Sequence, residues 1–416
     1  MFLILNYLIY LGFSTFSYQD STLTIADESS IAESQIQSEY KKATKCIITS
    51  NGEVSIQSNT FQAFTSLKQL YIDVSTIIFE SSSFKQMTGV SELKVNAADS
   101  INIAENAFAA SGIDYIELNT QKQITLSKQS FAASFTINVL NITSKGTVTI
   151  GEQAFENSQV KSINIISTNT VNLGVQSFYG CAYITTFQVE SKEAGVKFES
   201  SAFESSKIPE LIIKSHEDVL LNRESIEGEF EKLSIETQGN FATYKHTFLH
   251  SNMKEFYIKC NGYANFGEQT FQQTPEFANF TVISNQDITF EQHSFLQSKI
   301  NSMTLITNGS ISFGKQCFQK TTNLNTFIVN ASGDLFFGEH SFLGSSIYSI
   351  SINTTGSIDF SKQSFQNCLK LTNFNIETPS DVTFGQQCFH NSQVQEVIIT
   401  SPEKTTTASN SIKLSS

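Results

Sequence analysis

Apolar residues recur along this chain in columns of fixed period. The most regular column is Phe61, Phe84, Phe108, Phe131, Phe155, Phe178, Phe203, Ile226, Phe248, Phe271, Phe295, Phe318, Phe342, Phe365 and Phe389, with isoleucine once in place of phenylalanine. The intervals run from 22 to 25 residues and average about 23.4. Two more columns travel with it. Five and seven positions before the phenylalanine stand pairs such as Val148 and Ile150, Ile311 and Phe313, or Val382 and Phe384. After it come L-x-x-h-x-h runs such as Leu324, Phe327 and Val329, or Leu371, Phe374 and Ile376. The alternating ends are the signature of strands with one face inward. Each repeat is therefore expected to be a coil of two short strands and a phenylalanine-bearing turn, stacked so that equivalent strands form parallel ladders.

The step from the last strand residue to the next phenylalanine is nearly constant, as in Val329 to Phe342, Ile352 to Phe365 and Ile376 to Phe389. Length varies in the connector after the phenylalanine: Leu324 lies six past Phe318, and Ile347 five past Phe342. A one-residue change in a surface turn leaves the packed arc intact. The repeating unit is thus a pair of coils spanning 47 residues, the separation of His246, His293 and His340.

A period of 20–29 residues is that of leucine-rich solenoids. The expected fold is a leucine-rich repeat β-solenoid of about 15 coils of 23–24 residues, with parallel β ladders, a phenylalanine spine and little regular helix. The 416 residues exceed what one compact core holds, and with only 4 prolines no linker breaks the array. The 36 phenylalanines, against no tryptophan, fit one position filled repeatedly.

Residues 1–18 are read as a secretory signal: MFLILNYLIYLGFSTFS is apolar, uncharged and short for a membrane span, with cleavage expected between Ser17 and Gln19. Residues 19–44, polar and acidic, are read as an N-terminal cap or flank, 45–400 as the solenoid and 401–416 as a disordered Ser/Thr-rich tail. No second spanning run follows, so no intrinsic transmembrane anchor is expected apart from the signal. The coil at Ile226, crowded with Glu224, Glu227, Glu229 and Glu231, is the expected bend or soft spot. A net charge of −13 excludes binding to a phosphate backbone, so no nucleic-acid partner is expected.

The segment Val148-Thr-Ile-Gly-Glu-Gln-Ala-Phe155-Glu-Asn-Ser-Gln-Val160-Lys-Ser-Ile163 resembles the repeat of the BspA-like (Treponema-type) leucine-rich family, as do 311–318 and 382–389. The family glycine four before phenylalanine is present as Gly151, Gly174, Gly267, Gly314, Gly338 and Gly385, and its cysteine three after as Cys181 and Cys368. The proline that follows the strand in the family is essentially missing here. The resemblance covers roughly residues 45–400. It implies a secreted or surface protein associated with adhesion to host cells or matrix, by analogy at the level of fold.

Candidate chemistry is sparse. His246 and His250 have helical metal-ligand spacing, but the turn is too short for a helix and no further ligand completes a site. His246, His293 and His340 stand two coils apart, about 10 Å, so they share no ion, and their column is read as an accident of the repeat. The six cysteines, Cys46, Cys181, Cys260, Cys317, Cys368 and Cys388, are expected as free buried fillers, since Cys317 and Cys388 lie three coils apart in one column. No nucleophile–base pair and no phosphate loop recurs. No enzyme, cofactor or metal is expected.

Strand parity places Gln69 and Tyr71, Glu92 and Lys94, Tyr115 and Glu117, and Glu255 and Tyr257 outward on the sheet face, which in solenoids receives partners. Tyr71, Tyr115 and Tyr257 are the candidate partner-binding residues. Asn141, Asn279, Asn308, Asn330 and Asn353 head N-x-S/T sequons and are the candidate glycosylation sites, the last three expected as a row along one edge. The leading expectation is a secreted or extracellular-surface protein whose sheet face binds a host-cell or matrix protein or glycan. The second is a coat or wall component with no specific ligand that associates end to end. A weaker third is a glycan-processing enzyme, which needs a cleft of paired carboxylates.

Overall fold

Period-two alternation calls for strands, and the computed structural model of the chain has two in each coil and, among the described residues, only two short 3-10 turns of helix, Glu33–Gln35 and Tyr40–Lys42. The structure describes residues 15–62, 64–394, 396–400 and 405–407. It is a parallel-strand β-solenoid of about 16 turns. By packing the chain divides into two compact units, Met1–Ile208 and Pro209–Ser416. The division does not fall at the Ile226 coil, whose isoleucine is fully buried and whose strand Gly228–Thr237 pairs in unbroken parallel register with Asn252–Cys260 from Lys232 onward.

In the first unit a longer strand and a shorter one alternate, as in Ile137–Ser144 then Val148–Ile150, and Val160–Ser167 then Val171–Leu173. Equivalent strands pair in parallel: Leu140 opposite Ile163, Ile142 opposite Ile165, Val148 opposite Val171. In Gln69–Phe79 and Val90–Ile103 the two strands of a coil run together through the corner. The array starts one coil before the phenylalanine column does. Thr22–Ala26 pairs in parallel with Lys45–Thr49, and Ser30–Ile31 with Glu53–Ile56. Ile36, buried, follows Ile31 at the spacing by which Phe61 follows Ile56. Thr15–Gln19 lies antiparallel along Thr22–Ala26, with Phe16 stacked on Tyr40. The stretch in which cleavage was expected is thus strand; residues 1–14 lie outside the described residues.

The second unit repeats the pattern, as in Ile300–Thr307 then Ile311–Phe313, and Thr326–Ala331 then Leu335–Phe337. Of the segment read as a disordered tail, Thr405–Thr407 pair with Val382–Phe384. The rest lies outside the described residues.

The phenylalanine column is the spine. Rings of Phe131, Phe155 and Phe178 stack at 5.1 and 5.0 Å with planes 3° and 1° apart, offset as aromatic quadrupoles prefer. The second unit adds a parallel stack on the short strands, with Phe290 on Phe313 at 5.3 Å and Phe313 on Phe337 at 4.7 Å. Long-strand rings wedge between spine rings edge to face: Phe327 meets Phe318 and Phe342 at 84° and 89°. Each buried ring contributes about 1.5–3 kcal/mol by leaving water.

The arc that carries the spine has one backbone recipe. Two residues before the phenylalanine the chain is left-handed in every coil, from Asn59 (φ 63°) to Gln387 (φ 56°). That conformation costs a side-chain-bearing residue about 1–2 kcal/mol. Side-chain ladders offset it. Gln129 donates to Gln153 and Gln153 to Gln176, at 3.2 and 3.1 Å. His246, His293 and His340 occupy this same position, and Nε2 of each lies 2.8 Å from Oε1 of Gln269, Gln316 and Gln363 in the next coil. The three histidines thus share one repeat position, the left-handed corner that Asn, Ser, Gln or Glu fills in the other coils.

Three residues after the phenylalanine a buried serine in several coils donates to the carbonyl of the previous coil's phenylalanine, as Ser158 does to Phe131 at 2.7 Å and Ser134 to Phe108 at 3.1 Å. Cys181 and Cys368 stand in that position, their Sγ 3.0 and 3.1 Å from the carbonyls of Phe155 and Phe342. All six cysteines are free and buried. Burial pushes the thiols of Cys181 and Cys368 up to about 12.

Candidate sheet-face binding site

Two of the three candidate tyrosines come together in the first unit. In parallel register Tyr71 lies beside Lys94, and Lys94 beside Glu117. Likewise Gln69 lies beside Glu92, Glu92 beside Tyr115, and Tyr115 beside Val139. The inward residues of these strands, Leu70, Ile72, Leu93, Val95, Ile116 and Leu118, are buried. Tyr71, Glu92, Lys94, Tyr115 and Glu117 are therefore held outward on a rigid backbone.

Their side chains form one network. Lys94 Nζ sits 2.7 Å from Glu92 and over both rings, 5.9 Å from the centre of Tyr71 and 5.5 Å from that of Tyr115. Lys45, from the preceding strand, also lies over Tyr71, 4.8 Å from its ring centre. The Tyr71 hydroxyl donates to Glu92, which also accepts from Gln69 Nε2 at 3.1 Å. The Tyr115 hydroxyl donates to Glu117 at 3.0 Å and accepts from Asn141 Nδ2 at 3.4 Å. Asn119 Nδ2 also donates to Glu117, at 2.9 Å.

Electrostatics follow from these contacts. The Lys94 ammonium and the Tyr71 hydroxyl hold the Glu92 carboxyl below the ordinary range. The hydrogen bond to Glu92 pushes the Tyr71 phenol above its ordinary value. Beside Tyr71 a shallow groove of about 350 Å³ opens, lined by Ile47, Asp73, Lys94 and Asn96 among others. Such a surface offers aromatic area, two ammonium groups and paired carboxylates in fixed geometry.

Tyr257 belongs to the second unit, where it lies beside Ser234 and Thr281. Asn141 is half-buried against Tyr115, whereas Asn279, Asn308, Asn330 and Asn353 are exposed. Asn330 and Asn353 are directly opposite each other. Asn308 departs from the expected row: the partner of Asn330 on the preceding coil is Ile306, and Asn308 sits past the strand end at Thr307. The 22-residue step from Asn308 to Asn330, two short of the local register of 24, carried that information. Strand parity does not reveal Lys45, because its own strand, Lys45–Thr49, carries no tyrosine.

His246 and His250 face glutamines, and among the described residues no group of three His, Cys, Asp or Glu side chains converges on a metal position. Among the described residues no helix is long and apolar enough to cross a membrane.

Among curated proteins and solved structures nothing matches the chain. Against protein families it matches the BspA type Leucine rich repeat region (6 copies) over residues 2–113, 101–223, 242–357 and 289–413. Coil length, the Gly-x-x-x-Phe arc and nearly continuous coverage by this match agree, and the chain belongs to the BspA-type leucine-rich repeat family.

Proposed function

We propose that the protein is secreted or held at the cell surface and acts as a non-enzymatic adhesion or binding protein, its sheet face taking a protein or glycan of a host cell or matrix. One observation carries this reading: Tyr71, Lys94 and Tyr115 form a prearranged aromatic and charged face on a backbone with no freedom to collapse. Prearrangement removes the ordering cost that otherwise opposes association. The BspA-type family, commonly of surface or secreted proteins, supports the location.

The test is binding of the purified full chain to host cells and immobilised matrix proteins, beside the variant carrying Tyr71→Ala and Tyr115→Ala. Loss of about tenfold or more in affinity, near 1.4 kcal/mol, is expected when both anchors go. Equal binding by both proteins, or none by either, overturns the reading.

A further inference from the structure

The second unit carries a groove of different chemistry, about 720 Å³, where the long strands of successive coils begin. Three exposed lysines line it: Lys254, Lys299 and Lys370. Lys254 pairs with Glu231 at 3.3 Å, while Lys299 and Lys370 have no ion-pair partner among the described residues. One carboxylate, Glu276, shares the rim. Between the lysines stand exposed Asn301, Asn323 and Asn325, with Asn325 Nδ2 donating to Asn301 Oδ1 at 2.5 Å. Ala278, in register between Lys254 and Asn301, leaves the depression. One coil past Asn325 in the same strand-entry row is Tyr348, 49% exposed, its N–H bonded to the Leu324 carbonyl.

The row crosses the coils, and its spacing follows from the ladder. Lys299 lies two coils beyond Lys254 and two residues back along the strand, and Lys370 lies three coils beyond Lys299 in register, about 12 and 14 Å at about 4.8 Å per coil and about 3.3 Å per residue. A ligand that meets all three is linear and bears separated negative charges. Planar amides in a row pair with both the donor and acceptor sides of hydroxyl groups. An exposed ring adds a stacking surface for an apolar face. Backbone N–H and C=O groups here are spent within the ladders on both sides, so an extended peptide finds no edge to join.

We infer that this groove binds a linear acidic oligosaccharide, lying across the coils with its sulfate groups on Lys254, Lys299 and Lys370 and its hydroxyls on the asparagines. The inference rests on the reading of the protein as a binding scaffold and names a ligand class for a site other than the tyrosine face.

The experiment is calorimetric titration of the full chain with a heparin-derived oligosaccharide, its desulfated counterpart and poly-glutamate. The sulfated sugar is expected to bind, with affinity falling as salt rises, and the desulfated one to bind about tenfold more weakly or not at all. Lys299→Glu with Lys370→Glu, both at exposed positions, is expected to cost about tenfold or more, and Tyr348→Ala to weaken both sugars. Equal affinity for the two sugars, no loss in the charge-reversed protein, or poly-glutamate binding as tightly as the sugar each overturns the inference. The failures are separable. A protein that ignores the sugar yet binds cells through Tyr71 and Tyr115 loses only this inference. A protein that binds the sugar but keeps full cell binding in the Tyr71→Ala, Tyr115→Ala variant loses only the tyrosine-face reading.

Discussion

Cys181 shows how much one side chain's position explains. It is buried with Sγ 3.0 Å from the Phe155 carbonyl, in the place where Ser158 donates to Phe131. Cys181→Ser keeps a donor there and is expected to change stability by less than about 1 kcal/mol, whereas Cys181→Val removes it and costs about 1–3 kcal/mol. Chemical denaturation of the two variants checks this. Buried, protonated thiols also predict no reaction with alkylating reagents before unfolding. Glu92 and Tyr71 respond to pH in opposite directions. Glu92 is held below the ordinary carboxylate range, so its contribution is present above that range and lost as pH falls through its folded value. Tyr71 ionises above the usual phenol value of about 10, and Glu92→Gln is expected to bring it back toward that value. Phenolate absorbance during alkaline titration of the two proteins measures the difference.

In the repeating coil, the spine ring and the close backbone contact before it set what is tolerated. Phe155 is fully buried between Phe131 and Phe178, and Phe155→Ala is expected to cost about 3–5 kcal/mol, read from the denaturation midpoint. The N–H of Gly314 donates to the Phe290 carbonyl at 2.7 Å, and a Cβ there would stand 2.6 Å from the nitrogen of Gln292. Gly314→Val therefore forces the arc off the previous coil. The conserved geometry of the arc and the variable connector after it were legible in the spacing alone. The left-handed corner was not, because Asn, Ser, Gln, Glu and His all serve there, and no single residue type marks the conformation. The histidines drew attention only by their 47-residue repeat, and the reason appears once their Nε2 atoms are seen against the glutamines of the next coil.

For the molecule as a whole, a coil interacts only with its neighbours, so stability is a sum of coil and interface contributions. Removing residues 272–318, the interval from Phe271 to Phe318, takes out one 47-residue pair of coils and rejoins like to like. That protein is expected to fold with a β-rich circular dichroism spectrum and cooperative unfolding. Removal of a stretch half a coil longer mismatches the ladders and is expected to give an aggregating chain.

Period, strand parity, the phenylalanine spine and membership of the family were properties of the sequence itself. A solenoid repeats the same local problem, so each solution is printed many times over and noise averages out. Parity also chose Tyr71 and Tyr115 as outward residues. Tertiary structure decided what repetition does not encode. The early coil at Thr22–Ala26 has no phenylalanine to announce it, and isoleucine fills the column. Lys94 binds Tyr71 to Tyr115, and the groove of Lys254, Lys299, Asn301, Asn325 and Lys370 exists only where residues from separate coils meet. Contacts across coils depend on register and side-chain reach, and a one-dimensional period is blind to both.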